Sequence, residues 1–192
     1  MENVIFHIDV NSAFLSWEAV YRLFHRGGTL DLREIPSAVG GDVSLRHGII
    51  LAKSIPAKDY GIKTGESIPE ARRKCPNLVL VPPNYSLYEQ CSEAFMDILR
   101  EYSDVVEQYS IDESFVDMTT TCHLFGTPEE TATQLKDRIR EELGFTVNTE
   151  CPPTSCWQRW HRTFGSLTGC IRCIRKKFRK RCGPFLCQSY SL

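Results

Sequence analysis

Two neighbouring acids, Asp112 and Glu113, sit in the run EQYSIDESFVDM (107–118), framed by residues apolar enough to be buried. A carboxylate taken out of water is costly unless a cation or hydrogen-bond donors meet it. About a hundred residues earlier, Asp9 ends the apolar run NVIFHIDV (3–10), immediately before a helical pattern. The handover from strand to helix is a frequent position for a site residue. Three carboxylates from two neighbouring strands could hold two Mg²⁺ ions, which take oxygen ligands and share them with substrate phosphates. Such a pair stabilises the attacking and leaving oxygens of a phosphoryl transfer. A plainer reading stands beside this one. An Asp at a strand end often caps or turns the chain, and adjacent acids in a strand point to opposite faces, so that one reaches water. Spacing alone leaves both open.

The elements that must position these acids are legible from periodicity. NVIFHIDV reads as a buried strand. SAFLSWEAVYRLF (12–24) follows as a helix with Phe14, Leu15, Trp17, Val20, Leu23 and Phe24 on its apolar face, Ser12 as N-cap and Gly27–Gly28 as its end. Strands are expected over 35–41, 48–54 and 78–83, with two short helical pieces broken by glycines and prolines over 55–77. NYSLYEQCSEAFMDILREYS (84–103) is an amphipathic helix with Leu87, Cys91, Phe95, Ile98 and Leu99 on one face. Residues 105–118 read as two strands around a turn at IDES. TPEETATQLKDRIREELG (127–144) carries a capping box, Thr127 with Glu130, and a Gly144 C-cap; FTVN (145–148) begins another strand. The fold class is α/β (α+β).

The chain has 192 residues, 42% hydrophobic and 24% charged, the composition of a globular protein of one domain or little more. No apolar run approaches the roughly 20 residues of a membrane span. The N-terminus lacks a basic, cleavable signal, so the cytoplasm is expected. The net charge of −1 conceals an asymmetry. Residues 1–148 hold 14 Lys/Arg and 23 Asp/Glu, a balance of −9, whereas residues 149–192 hold 9 Lys/Arg and one acid, a balance of +8. Six of the nine cysteines also fall after residue 149. Such a shift marks a boundary.

FHIDVNSAFLSWE, then LAKSIPAKDYGIKTGESIPEARRKCPNLVLVPPNYSLYEQCSEAFMDILREYS, then YSIDESFVDM, in that order and spacing, resemble the Y-family translesion DNA polymerases of the DinB (DNA polymerase IV)/UmuC type over residues 3–148. The resemblance implies a polymerase palm with a ferredoxin-like βαββαβ core, a small helical fingers insertion at about 35–80, and a Cys/Arg-rich tail (149–192) unlike the family. It implies Asp9, Asp112 and Glu113 as the catalytic carboxylates, with the Val10 carbonyl also on a metal, and two Mg²⁺ ions as cofactors. Phe14 matches the aromatic gate beneath the incoming sugar; from periodicity alone it is a core aromatic. Ser54 and Lys58 fall in the segment that meets the triphosphate. There the family commonly has a tyrosine and an arginine, and this chain has Ile55 and Lys58. Lysine meets a phosphate as a point charge without arginine's fork. Lys53, Arg72 and Lys74 read as solvated. The partners implied are primer–template DNA and dNTPs, with a sliding clamp contacted through a region further downstream and no membrane.

The tail admits three readings. Cys170 and Cys173 have C-x₂-C spacing, and Cys151, Cys156, Cys182, Cys187 and His161 could complete a zinc site. The run IRCIRKKFRKR (171–181) has the charge of a nucleic-acid arm. Together these would make the chain a non-catalytic nucleic-acid-binding module with a basic, zinc-binding tail. The third reading is translation out of frame. Shifted by one base, with permitted codons, the tail spells VN(IG)MSSNKLLAKMASDF and onward, the pattern by which the family continues. On that reading the tail carries no evolved function and no disulfides. The rest of the polymerase would then be absent, and the chain alone would have little or no processive activity. The expected outcome is that the nucleotide sequence through codons 147–152 and beyond holds an open frame, displaced by one base, encoding that continuation. A displaced frame closed by stop codons, with stoichiometric zinc on the purified chain, contradicts it.

Overall fold

The computed structural model describes residues 3–41 and 48–151. The zinc candidates Cys156, His161, Cys170, Cys173, Cys182 and Cys187 and the basic run 171–181 lie outside the described residues. The elements run β1 (Ile5–Val10), α1 (Ala13–His25), β2 (Ser37–Gly40), β3 (Ile50–Lys53), α2 (Ile55–Asp59), α3 (Ile68–Lys74), β4 (Val79–Val81), α4 (Tyr85–Tyr102), β5 (Val106–Gln108), β6 (Glu113–Asp117), a 3₁₀ turn (Cys122–Leu124), α5 (Pro128–Leu143) and β7 (Val147–Glu150).

Four strands form the larger sheet in the order β5-β6-β1-β7, with every pairing antiparallel. With α4 and α5 as connections this is the ferredoxin-like βαββαβ arrangement expected from the sequence. Alternation along β1 divides its side chains. Phe6, Ile8 and Val10 enter a core filled from α1 by Ala13 and Trp17, from α4 by Tyr88, Phe95, Met96 and Leu99, and from α5 by Leu135 and Ile139. His7 and Asp9 face the other way and are only half-buried. The helices thus cover one face of the sheet, and the acids stand on the other.

The smaller sheet, β3-β2-β4, pairs β2 antiparallel to β3 and parallel to β4. One cluster joins Ala38 and Ile50 to Ala57, Ile68 and Ala71 of α2 and α3. A second joins Val39, Ala52 and Val81 to Leu15 and Ala19 of α1. Helix α1 therefore packs into both units, with Ala13 and Trp17 in one core and Leu15 and Ala19 in the other. Phe14 is packed against both clusters.

Several expectations need correction. Ser12 makes no side-chain cap; it holds φ 48, and its carbonyl accepts the Leu15 and Ser16 N–H groups. Phe24 is 72% exposed because α1 buries its residues only through Ala19 and its last turn leaves the core. IDES is not the turn: Glu113 and Ser114 already belong to β6, and the turn spans 109–112. On α4, Tyr88, Met96 and Tyr102 are also buried, so the apolar stripe is wider than the five positions expected from sequence. Lys74 is not simply solvated: its Nζ donates to Glu66 Oε2 at 2.7 Å and to the Gly61 carbonyl at 3.0 Å. The Thr127 capping box forms as expected, and Gly144 ends α5 at φ 75.

Ile8, fully buried on β1, and Thr127, at the α5 cap, give contrasting expectations. Ile8→Ala should lower unfolding free energy by about 2–5 kcal/mol. Thr127→Ala should lower it by about 1 kcal/mol. Denaturant titration checks both.

Candidate active site

The register of β1 against β6 sets Asp9 directly opposite Glu113. One residue before β6, the Asp112 carbonyl accepts the Val10 N–H at 2.9 Å, which ties the turn to the end of β1. On the other side of β1, Asn11 N–H donates to the Thr146 carbonyl at 3.0 Å. Asp9, Val10, Asp112 and Glu113 are thereby gathered at one end of two paired strands, although more than a hundred residues separate them in sequence.

Side-chain donors among the described residues meet two of these acids, and a backbone hydrogen bond also lowers the Asp112 pKa. Ser110 Oγ donates to Asp112 Oδ1 at 2.7 Å. His7 Nε2 donates to Glu113 Oε1 at 2.6 Å. Burial raises the Asp9 pKa to about 6, and the neighbouring Asp112 and Glu113 push in the same direction, offset in part by His7. Burial also raises Asp112, against the lowering effect of its Ser110 hydrogen bond. Among the described residues, no Lys or Arg acts on either group. Among the described residues, His7 offsets the negative charge of the site only in part.

Among the described residues, no group of three or more His, Cys, Asp or Glu side chains closes tightly enough to hold a metal ion as it stands. Asp112 and Glu113 are each turned towards a protein donor. The fit to Mg²⁺ rests on donor chemistry. Every candidate ligand is an oxygen, as a hard cation prefers. The mutual repulsion of the acids is of the kind that bound cations relieve.

Phe14 is the second residue of α1, five residues after Asp9, and is half-buried. Its ring stacks on Tyr88 with centroids 4.7 Å apart and planes 19° apart. Trp17 lies against the same pair, 6.0 Å from Phe14 and 5.8 Å from Tyr88. Glu18 Oε1 accepts the Tyr88 hydroxyl at 3.2 Å. Phe14 is therefore packed against the core on one side and accessible on the other, as the core reading from periodicity expects in part.

The remaining candidates lie on the smaller unit. Ser54 is 3% exposed, and its hydroxyl is fully engaged: it donates to the Ile35 carbonyl at 2.7 Å and accepts the Ala57 and Ser37 N–H groups at 3.1 Å. It shapes the β3–α2 corner rather than presenting a free hydroxyl. Lys58 is exposed on α2, and Ile55 beside it is 75% exposed. Lys53 Nζ donates to Thr64 Oγ1 at 3.2 Å, and burial together with Lys58 lowers its pKa. No described hydrogen bond or ion pair joins Ser54 or Lys58 to the carboxylates. Sequence reasoning missed His7 and Tyr88. His7 was detectable as the same-face neighbour of Asp9 at a spacing of two. Tyr88 gave no signal beyond its place on an amphipathic helix.

Comparison with known proteins bears on this arrangement. The impB/mucB/samB family model matches residues 8–154. A DNA polymerase IV of Clostridium acetobutylicum is 51% identical over 148 residues, covering 77% of this chain and 37% of its own length. DNA polymerase IV 1 of Bacillus subtilis is 41% identical over 140 residues, covering 73% and 32%. Among solved structures, DinB from Sulfolobus solfataricus superposes with a TM-score of 0.68 at 25% identity, covering 78% of this chain and 42% of that one. An insertion ternary complex of Dbh DNA polymerase gives 0.67 at 25% identity, covering 78% and 42%. The chain spans about a third of the length of these curated relatives.

The electrostatics of Asp9 carry a signed prediction. Its folded pKa of about 6 lies above the ordinary 3.8, so the fold favours the protonated acid. The stability this provides is fully present below pH 3.8 and is lost as pH rises through 6. Asp9→Asn should therefore stabilise the chain at pH 7.5 by about 1–2 kcal/mol, allowing for solvent screening, and have little effect at pH 4. Denaturant unfolding at the two pH values measures this; an equal difference at both contradicts it.

Proposed function

The chain belongs to the impB/mucB/samB family, and from that membership we propose that it carries the palm and fingers of a translesion DNA polymerase. The observation that carries the proposal is the placement of Asp9 opposite Glu113, with Asp112 tied to Val10, on the open face of a ferredoxin-like sheet. Residues 1–148 form this portion, with the fingers at about 35–80, and the cytoplasm is its compartment. The reaction is template-directed nucleotidyl transfer in translesion synthesis and DNA repair. The primer 3′-OH attacks the α-phosphate of a dNTP and pyrophosphate leaves.

Asp9, Asp112, Glu113 and the Val10 carbonyl would hold two Mg²⁺ ions. When bound, these supply charge neutralisation to the 3′-OH and the triphosphate. The chain's own contribution is positioning. Phe14, backed by Tyr88, lies beneath the incoming sugar and leaves no room for a ribose 2′-OH. Lys58 meets the triphosphate as a point charge, and Ile55 beside it adds apolar contact in place of a hydrogen bond. Ser54 holds the corner from which α2 presents Lys58. The acidic balance of residues 1–148 is compatible with DNA binding if the grip on the duplex comes from domains downstream, as in the family. The isolated chain should accordingly show little processive extension.

A chimera joining residues 1–148 to the downstream domains of the Clostridium acetobutylicum relative tests the proposal. It should extend a primer with Mg²⁺ and dNTPs. Asp112→Ala should lower the rate by on the order of 10²–10³-fold or more. Phe14→Ala should raise ribonucleotide incorporation roughly 10²-fold relative to deoxyribonucleotide. An active chimera indifferent to Asp112→Ala would contradict the carboxylate assignment.

A further inference from the structure

His7 stands on β1 two residues before Asp9 and on the same face of the sheet. Its cross-strand partner is Phe115, and the two rings lie 4.7 Å apart at 32°. Tyr109 also meets Phe115 edge-on, with centroids 6.2 Å apart. Phe115 is buried, so the imidazole rests on a fixed wall. From that position Nε2 reaches diagonally across the strands to Glu113 Oε1 at 2.6 Å. The His7 and Glu113 side chains are 16% and 10% exposed, so water competes poorly for this bond.

We infer that His7 is a positioning residue for Glu113: it holds Oε1 and leaves Oε2 as the oxygen that Glu113 offers to a divalent cation beside Asp9. The inference rests on the carboxylate-site reading above. Glu113 has three side-chain torsions, and in the absence of a donor its carboxylate would sample several orientations. One strong hydrogen bond to a ring held against Phe115 removes most of that freedom before a cation arrives. The donor acts in the same way whether the imidazole is neutral with its proton on Nε2 or fully protonated, because Nε2–H is the donor in both. Outer partners that orient a carboxylate ligand typically alter metal affinity by about 10–100-fold when removed. His7 makes no claim on the substrate or on the reacting atoms; it acts through Glu113.

The test is Mn²⁺ binding to the 192-residue chain, followed by the loss of the free-ion electron paramagnetic resonance signal, with thermal melting recorded on each variant. His7→Leu, which keeps an apolar ring-sized volume and removes the donor, should weaken Mn²⁺ binding by about 10-fold or more. His7→Gln, whose amide can place an N–H near the position of Nε2, should restore affinity to within about threefold of the unsubstituted chain. Both should melt close to it. Unchanged or tighter binding in His7→Leu overturns the inference alone. Weakening that His7→Gln does not rescue overturns it as well. Failure of the unsubstituted chain to bind Mn²⁺, with folding intact, overturns the carboxylate-site reading and this inference together.

Discussion

Antiparallel pairing of β1 with β6 sets Asp9 opposite Glu113, and most of what is particular to this molecule depends on that register. A slip of one residue would turn Asp9 into the core and bring Ile8 or Val10 to the open face. The buried side of β1 prevents such a slip. Phe6, Ile8 and Val10 are each nearly inaccessible and are clasped by three helices. The apolar core thus holds three acids close together on the opposite face, where burial and mutual repulsion raise Asp9 and Asp112 above ordinary carboxylates. A packing interaction maintains an electrostatically unfavourable cluster, which is how functional sites commonly retain perturbed groups.

Helix α1 extends this constraint to the smaller unit. It leaves the strand at Asn11 and Ser12, the latter in a left-handed backbone conformation, so the helix begins within a few residues of Asp9. Successive positions on it then face different cores: Trp17 in the larger, Leu15 and Ala19 in the smaller. Phe14 touches both and stacks on Tyr88. Phe14 is therefore fixed from two sides, and the smaller sheet is fixed relative to the acids by the same helix.

Much of this was legible in sequence because it follows from local periodicity. The buried strand at β1, the amphipathic α4 and the capping box of α5 are each encoded within a few turns. Asp9, Asp112 and Glu113 stood out as acids among apolar residues. What escaped notice depended on register or orientation. Ser12 resembles a cap, yet its backbone turns left-handed to swing α1 away from the strand. Glu113 resembled a turn residue but begins β6, since the pairing extends to Asp9. His7 gained significance only once the strands were aligned and its ring lay within reach of Glu113. Ser54 resembled a ligand-facing hydroxyl, but its three hydrogen bonds are all made within the protein.

The claim that the acids form one cation-binding cluster under electrostatic strain is tested most directly by thermal unfolding at pH 7.5 with and without Mg²⁺. A ligand that binds the folded chain and not the unfolded one raises its melting temperature, by an amount that grows with the logarithm of its concentration above Kd. The unsubstituted chain should melt several degrees higher in millimolar Mg²⁺, and this increment should vanish in Asp9→Asn and in Asp112→Asn. An Mg²⁺ increment of the same size in all three proteins, or none in any, would contradict the account.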